Sequence, residues 1–168
     1  MLEDKNNKQQ IKFKKNGIWA LSNFCRNKAP LVDLKKIECI LPVFSVFINN
    51  TDLEILTNVC WAVFYLTDGP NERIDFVIKN FDITRFVELT SHFSEKVRIP
   101  ALRIIGNIVT GNDVQTQCIL NCKGLASLNH LTKSVNSQIR KDACWAISNI
   151  TAGTTLQIQV SNCLITFT

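Results

Sequence analysis

The sequence predicts an all-α chain built as a solenoid of stacked helical repeats. Three observations predict it. A segment of about a dozen residues recurs at one constant spacing. Apolar residues within each copy fall three and four apart, the interval that puts side chains on one helix face. A polar, mostly glycine-bearing turn closes the segment at the same place in most copies.

The recurrence is read by sliding the chain against itself. "IWALSNFCRNKA" from Ile18, "CWAVFYLTDGPN" from Cys60, "ALRIIGNIVTGND" from Ala101 and "CWAISNITAGTT" from Cys144 share one register. Trp19, Trp61, Arg103 and Trp145 fall forty-two residues apart, and so do Asn23, Tyr65, Asn107 and Asn149. A period in the low forties, kept through four copies without insertion, is that of helical repeats of the armadillo or HEAT kind.

Within a copy, "VFSVFI" from Val43 aligns with "RFVELT" from Arg85 and "SLNHLT" from Ser127. Phe44, Phe86 and Leu128, then Phe47, Leu89 and Leu131, mark a short helix. Pro42 suits its first turn, where a missing N–H costs little. A longer helix follows, over 54–67, 96–109 and 138–151. Pro100 is expected to bend rather than break its copy. The turns "DGPN", "TGND" and "AGTT" close it, with glycine expected in the left-handed C-terminal position. A third helix then begins, in "NERIDFVIKN" and "DVQTQCILNC". No such unit buries its apolar face alone, so neighbours are expected to stack into a right-handed superhelix with a concave face.

Composition agrees and excludes several classes. The 168 residues are one domain's worth, and 46% are apolar, which excludes a disordered chain. Seven cysteines without a C-x-x-C pair, beside two histidines, do not make a zinc framework. Cys60 and Cys144 share one repeat position and read as small buried hydrophobes, which points to a reducing compartment. Cys118 and Cys122, one helical turn apart, read as packing rather than as metal ligands. No metal and no cofactor are expected. The opening "MLEDKNNKQQIKFKK" lacks the apolar core of a signal peptide, and no run approaches a membrane span. Net charge is +5, much of it in the first 15 residues. That stretch reads as a solvated end, with a nuclear-targeting or nucleic-acid-binding run as the alternative. Three parts follow: a basic polar segment over 1–15, about four repeats over 16–160, and an out-of-register tail over 161–168.

The long helix carries a stripe. Trp19 and Asn23 are four apart and lie on one face, while Ile18, Leu21 and Phe24 are expected in the core. A single tryptophan would be read as core. Asn is a poor helix former with four hydrogen-bonding sites, and burying it in three copies is expensive. An exposed Trp–Asn ladder is cheaper to explain as a peptide-binding surface. The amide can hold both N–H and C=O of an extended backbone. Stacked indoles form slots for the stem of Lys or Arg, and a cation on the indole adds about 0.5–2 kcal/mol.

Those residues, with "WALSNFCRNK", "YLTDGPNERI", "PALRIIGNIVTGNDVQTQ" and "RKDACWAISNITAG", closely resemble the importin alpha (karyopherin alpha) family of armadillo-repeat nuclear-import adaptors. The resemblance runs from Gly17 to Gln159. It implies an all-α armadillo-repeat right-handed superhelical solenoid. It also implies binding of lysine-rich nuclear localisation signals in the concave groove, a cytoplasmic and nuclear location, and no enzymatic activity. Importin beta is implied as a partner only where a longer form carries the basic arm. No membrane and no direct nucleic-acid partner is expected.

By the resemblance, Trp19 and Asn23, with Asn16, match the last repeat of the major signal site. Arg103, Asn107, Trp145 and Asn149 match the start of the minor site, where Arg replaces Trp between the two. Val109, Thr110, Asp113 and Thr116 match a cap around one lysine of the signal. Asp142 and Ser148 flank the Trp145 step, and Asp142 matches a family Glu. Trp61, Tyr65, Asn71, Gly69, Asp68 and Glu54 would line the middle of the groove.

Departures accompany the match. The family has about ten repeats and this sequence about four. Asn58 stands where the family usually has Asp, and Ser161–Asn162 stand where earlier copies are apolar. The overall basicity departs from the acidic groove expected for a binder of basic peptides. The alternative reading is therefore a truncated or regulatory armadillo scaffold without useful cargo binding. An enzyme gains no support: in "GNIVTGND", Asn112 and Asp113 stand where a phosphate loop needs Lys and Ser/Thr.

Overall fold

The computed structural model describes residues 2–26 and 30–159. The helices are α1 (Leu2–Cys25), α2 (Leu34–Glu38), α3 (Leu41–Phe47), α4 (Leu53–Thr67), α5 (Asn71–Asn80), α6 (Ile83–Leu89), α7 (Glu95–Ile108), α8 (Asp113–Asn121), α9 (Gly124–Leu131) and α10 (Ser137–Thr151). The short, long and third helices of the repeat appear where expected, within a few residues. The basic segment 1–15 is not separate: from Leu2 onward it is the first part of α1. The tail 161–168 lies outside the described residues.

Local chemistry sets the boundaries. Asp52 caps α4 by accepting from the N–H groups of Glu54 and Ile55, and Asn136 does the same for α10. Such caps are each worth about 1 kcal/mol. Pro42 sits in the first turn of α3. Pro100 lies inside an unbroken α7, buried.

The long helices α1, α4, α7 and α10 stack in succession. Their seam is a set of apolar columns at the repeat spacing. Val59, Ala101 and Ala143 form one and Leu66, Ile108 and Ile150 another, and all six are 0% exposed. The Phe44, Phe86 and Leu128 rings and stem of the short helices close the other side, also at 0%.

Three expectations are corrected. None of the described glycines has a positive φ, and the left-handed residue is Lys123 at φ 60. Gly111 and Gly153 are instead required by close approach. A Cβ at either would collide with the side-chain amide of Gln115 or Gln157, four residues on. Phe24 is 40% exposed, because no described helix covers that face of α1. Cys144 is exposed whereas Cys60 is buried, because no further long helix stacks on α10 among the described residues.

The residues packed against those glycines form a buried polar column that the sequence reading missed. Gln115 Nε2 donates to Asn71 O (3.0 Å) and Asp75 Oδ1 (2.7 Å), while its Oε1 accepts from Asn112 N. Gln157 Nε2 donates to Asp113 O at 2.9 Å. Arg73 occupies the same position one repeat earlier and donates to Val32 O and Leu66 O. The bonds from Gln115 to Asn71 and Asp75, from Gln157 to Asp113 and from Arg73 to Val32 each tie one repeat to the last. Gln157 therefore keeps the repeat register.

Two outcomes follow from this packing. Gln115→Ala removes the bonds to Asn71 O and Asp75, which lie on exposed residues that water can satisfy, so chemical denaturation should show a loss of about 0.5–1.5 kcal/mol. An unchanged midpoint would show that the column contributes nothing. Burial pushes the Cys25 and Cys60 thiols up to about 12, and only the thiolate is alkylated. At mildly alkaline pH, iodoacetamide should modify Cys39 and Cys144 well before Cys25 and Cys60, read by peptide mass spectrometry. Equal rates at all four would mean that the seam is open.

Candidate peptide-binding ladder

Each long helix presents the expected stripe. Trp19 is 59% exposed and Trp145 45%, too open for core tryptophans, while Trp61 is half-buried. Trp61 stacks on Tyr65, ring centroids 5.9 Å apart. The Trp145 ring lies against Gly106 of the preceding helix, where a Cβ would come within 2.6 Å of Cζ3.

Arg103 has a double anchor. Its guanidinium carbon lies 5.8 Å from the Trp61 ring centroid, and its Nε donates to Asp142 Oδ2 at 3.2 Å. Arg103 thus bridges three consecutive long helices, and Asp142 also accepts from Gln138. An arginine in this apolar run is explained by a partly open position with an indole on one side and a carboxylate on the other.

The asparagines differ in their partners. Asn107 Nδ2 donates to Thr67 Oγ1 at 3.1 Å. Asn149 stands one repeat later, and the residue one repeat after Thr67 is Val109, which has no hydroxyl. Asn149 Nδ2 is buried without a hydrogen-bond partner, though the residue as a whole is half-exposed. A half-turn of the amide exchanges nitrogen for oxygen and turns the donor outward.

The remaining predicted residues are placed as follows. Asn16 is exposed and Asn23 half-buried on α1. Asn71, Thr110 and Asp113 are exposed, and the Thr110 hydroxyl donates to Asn107 O. Ser148 is exposed, its hydroxyl turned back to Trp145 O. Val109 and Thr116 are buried at 3% and 4% and offer no open surface.

Sequence reasoning missed Lys15. Its ammonium lies 2.9 Å from Asp52 Oδ2 and 3.1 Å from Glu54 Oε2. Hydrogen bonds to Asp52 and Glu54 raise the Lys15 pKa. Burial opposes ionisation of Asp52, but Lys15 and the N–H groups of Ile55 and Glu54 outweigh it and hold the carboxyl below its usual range. The signal available was spacing alone: Glu54 lies seven residues before Trp61, two turns down the same face.

The repeat, the stacking and the ladder define an armadillo-repeat protein. The armadillo/beta-catenin-like repeat family matches residues 112–152. Within that class the chain is similar to importin alpha subunits. It is 46% identical to importin subunit alpha-1a of Oryza sativa subsp. japonica over 160 residues, 95% of this chain and 30% of that one. It is 44% identical to importin subunit alpha-3 of Arabidopsis thaliana, over 86% of this chain and 27% of the other. It therefore spans less than a third of the length of these relatives. A designed armadillo repeat protein in complex with the peptide (KR)4 superposes with a TM-score of 0.77 at 25% identity, over 89% of this chain and 62% of that one.

The unpartnered Asn149 amide makes a stability test. Val109→Thr should supply the hydroxyl that Thr67 supplies to Asn107. We expect stabilisation of about 0.5–1.5 kcal/mol, the net worth of one hydrogen bond. The gain should vanish in an Asn149→Ala background. A gain that persists there would show that the new hydroxyl does not act on Asn149.

Proposed function

We propose that the ladder face binds lysine-rich segments of other proteins in extended conformation, and that the chain thereby acts as the cargo-binding part of a nuclear-import adaptor moving between cytoplasm and nucleus. One observation carries the reading: Arg103 seated on Trp61 is the chain's own example of a cation held by a ladder indole. Trp19 and Trp145 are exposed on the same face, with no cation placed on either among the described residues. Each offers an indole to an aliphatic stem and a charged head. Asn149, four residues after Trp145, brings an amide whose hydrogen-bonding capacity the chain itself leaves unused. With the amide turned by half a turn, its donor meets a backbone lying along the ladder.

The resemblance to importin alpha subunits supports the cellular role, and the designed relative that holds (KR)4 supports the ligand class. The partners on this reading are cargo proteins with basic nuclear localisation signals. Importin beta joins where a basic arm is present. On this reading the chemistry is recognition alone.

Fluorescence anisotropy with a labelled lysine-rich peptide tests the proposal. Saturable binding is expected, weakened about tenfold or more by Trp145→Ala with Asn149→Ala, a change of ~1.4 kcal/mol. A folded, monomeric protein that binds no peptide would leave the alternative, a scaffold that keeps the architecture without cargo binding.

A further inference from the structure

The ladder face is short of free negative charge, and the structure shows where the charge has gone. On each long helix, the positions three and seven residues before the indole (or before Arg103) share its face, because these spacings are close to whole turns. Across the four helices those positions hold two carboxylates, Glu54 and Asp142. Each already bonds a cation of this chain: Glu54 to Lys15 at 3.1 Å and Asp142 to Arg103 at 3.2 Å. Lys15 reaches over from α1, the preceding helix, and also bonds Asp52 at 2.9 Å. Around this triad lies a cavity of about 340 Å³, lined by Lys15, Asp52, Glu54, Thr57, Asn58 and Lys96. Its lining on α4, Glu54 to Asn58, lies one to two turns below Trp61.

We propose that Lys15 is a resident counter-ion of the ladder: it occupies the Glu54–Asp52 pair, and a ligand cation gains those carboxylates only by displacing it. The inference rests on the peptide-binding reading and says how selective that binding is. Displacement is ion exchange. The ligand's cation gains two carboxylates while Lys15 loses them to water, so the charged contact adds little net affinity. Selectivity for basic over neutral peptides is therefore set by Lys15 as much as by the carboxylates. Lys15 is a specificity-determining residue that acts by competition. The pair is half-exposed, so the exchange is not blocked by burial: the side chains of Lys15 and Asp52 are 26% and 31% exposed and that of Glu54 60%.

The test compares Lys15→Met with the unaltered protein in anisotropy titrations. One probe is the lysine-rich peptide, the other the same peptide with every lysine replaced by glutamine. Freeing the pair should tighten binding of the lysine-rich peptide about two- to fivefold at low salt, the scale of an exposed ion pair. The gain should shrink as salt rises. The glutamine peptide should not change. Glu54→Gln in the Lys15→Met background should remove the gain. A Lys15→Met gain that survives Glu54→Gln would overturn the proposal, as would equal or weaker binding by a helical Lys15→Met protein. Ladder-dependent binding that appears only once Lys15 is replaced would support it strongly. The two readings fail separately: unaltered protein that binds the peptide without any Lys15 effect overturns this inference alone, whereas no binding by either protein overturns the ladder reading and this one with it.

Discussion

Two apolar columns run across the stacked long helices, and the other contacts take their register from them. Val59, Ala101 and Ala143 are small enough to let α4, α7 and α10 approach their predecessors closely, and Leu66, Ile108 and Ile150 fill the far end. Because the spacing never varies, a side chain on one helix meets the same neighbour on the next. This makes a ladder possible: the positions of Trp19, Trp61, Arg103 and Trp145 follow one another at one constant step. The buried Arg73, Gln115 and Gln157 column fixes the third helices at the same step by side-chain-to-backbone bonds. The apolar seam gives the stacking its energy. The polar column gives it direction, since a donor buried off register would lose its carbonyl at a cost of about 1–3 kcal/mol.

Much of this was legible in the sequence. The forty-two-residue period located three short helices, three long ones and two third helices to within a few residues, because three- and four-residue apolar spacing has one structural reading when it recurs. The exposure of Trp19 and Trp145 followed from the asparagines beside them, since three buried amides in one column would be too costly. The role of the glycines was not legible. A glycine after a helix suggests a left-handed turn, and only the neighbouring column shows that Gly111 and Gly153 make room for Gln115 and Gln157. The clue lay in plain sight as a glycine followed four residues later by a long polar side chain, Gly69 with Arg73 included. Cys144 misled for a different reason. Repeat position predicts burial only where a neighbour is stacked on the outer side, and periodicity says nothing about where stacking stops.

Electrostatics was the least legible part, because the charge pairs on the ladder face form between helices rather than along them. A count of acids and bases gives a net positive chain and argues against binding basic peptides. The structure divides that count differently. Arg85 with Glu88 and Arg98 with Glu95 are local pairs within one helix. Lys15 and Arg103 reach across helices to carboxylates on the ladder face. What a ligand meets is set by those two cross-helix pairs and by the indoles that hold no cation.

The ladder is thus regular in backbone and irregular in chemistry, and the irregularities decide what each step does. Three of its four first positions are tryptophan. At the fourth, Arg103 spends its charge on Trp61 and Asp142, so this step closes the slot before it and ties α4, α7 and α10 together. One step later the replacement of a threonine by Val109 leaves Asn149 short of the partner that Asn107 has in Thr67. The two asparagines occupy the same place on the same helix face. One is satisfied within the protein and therefore braces it; the other is left with unused bonding capacity beside an open indole. In a solenoid this simple, a single hydroxyl one repeat away separates a side chain that holds the fold from one available to hold a ligand.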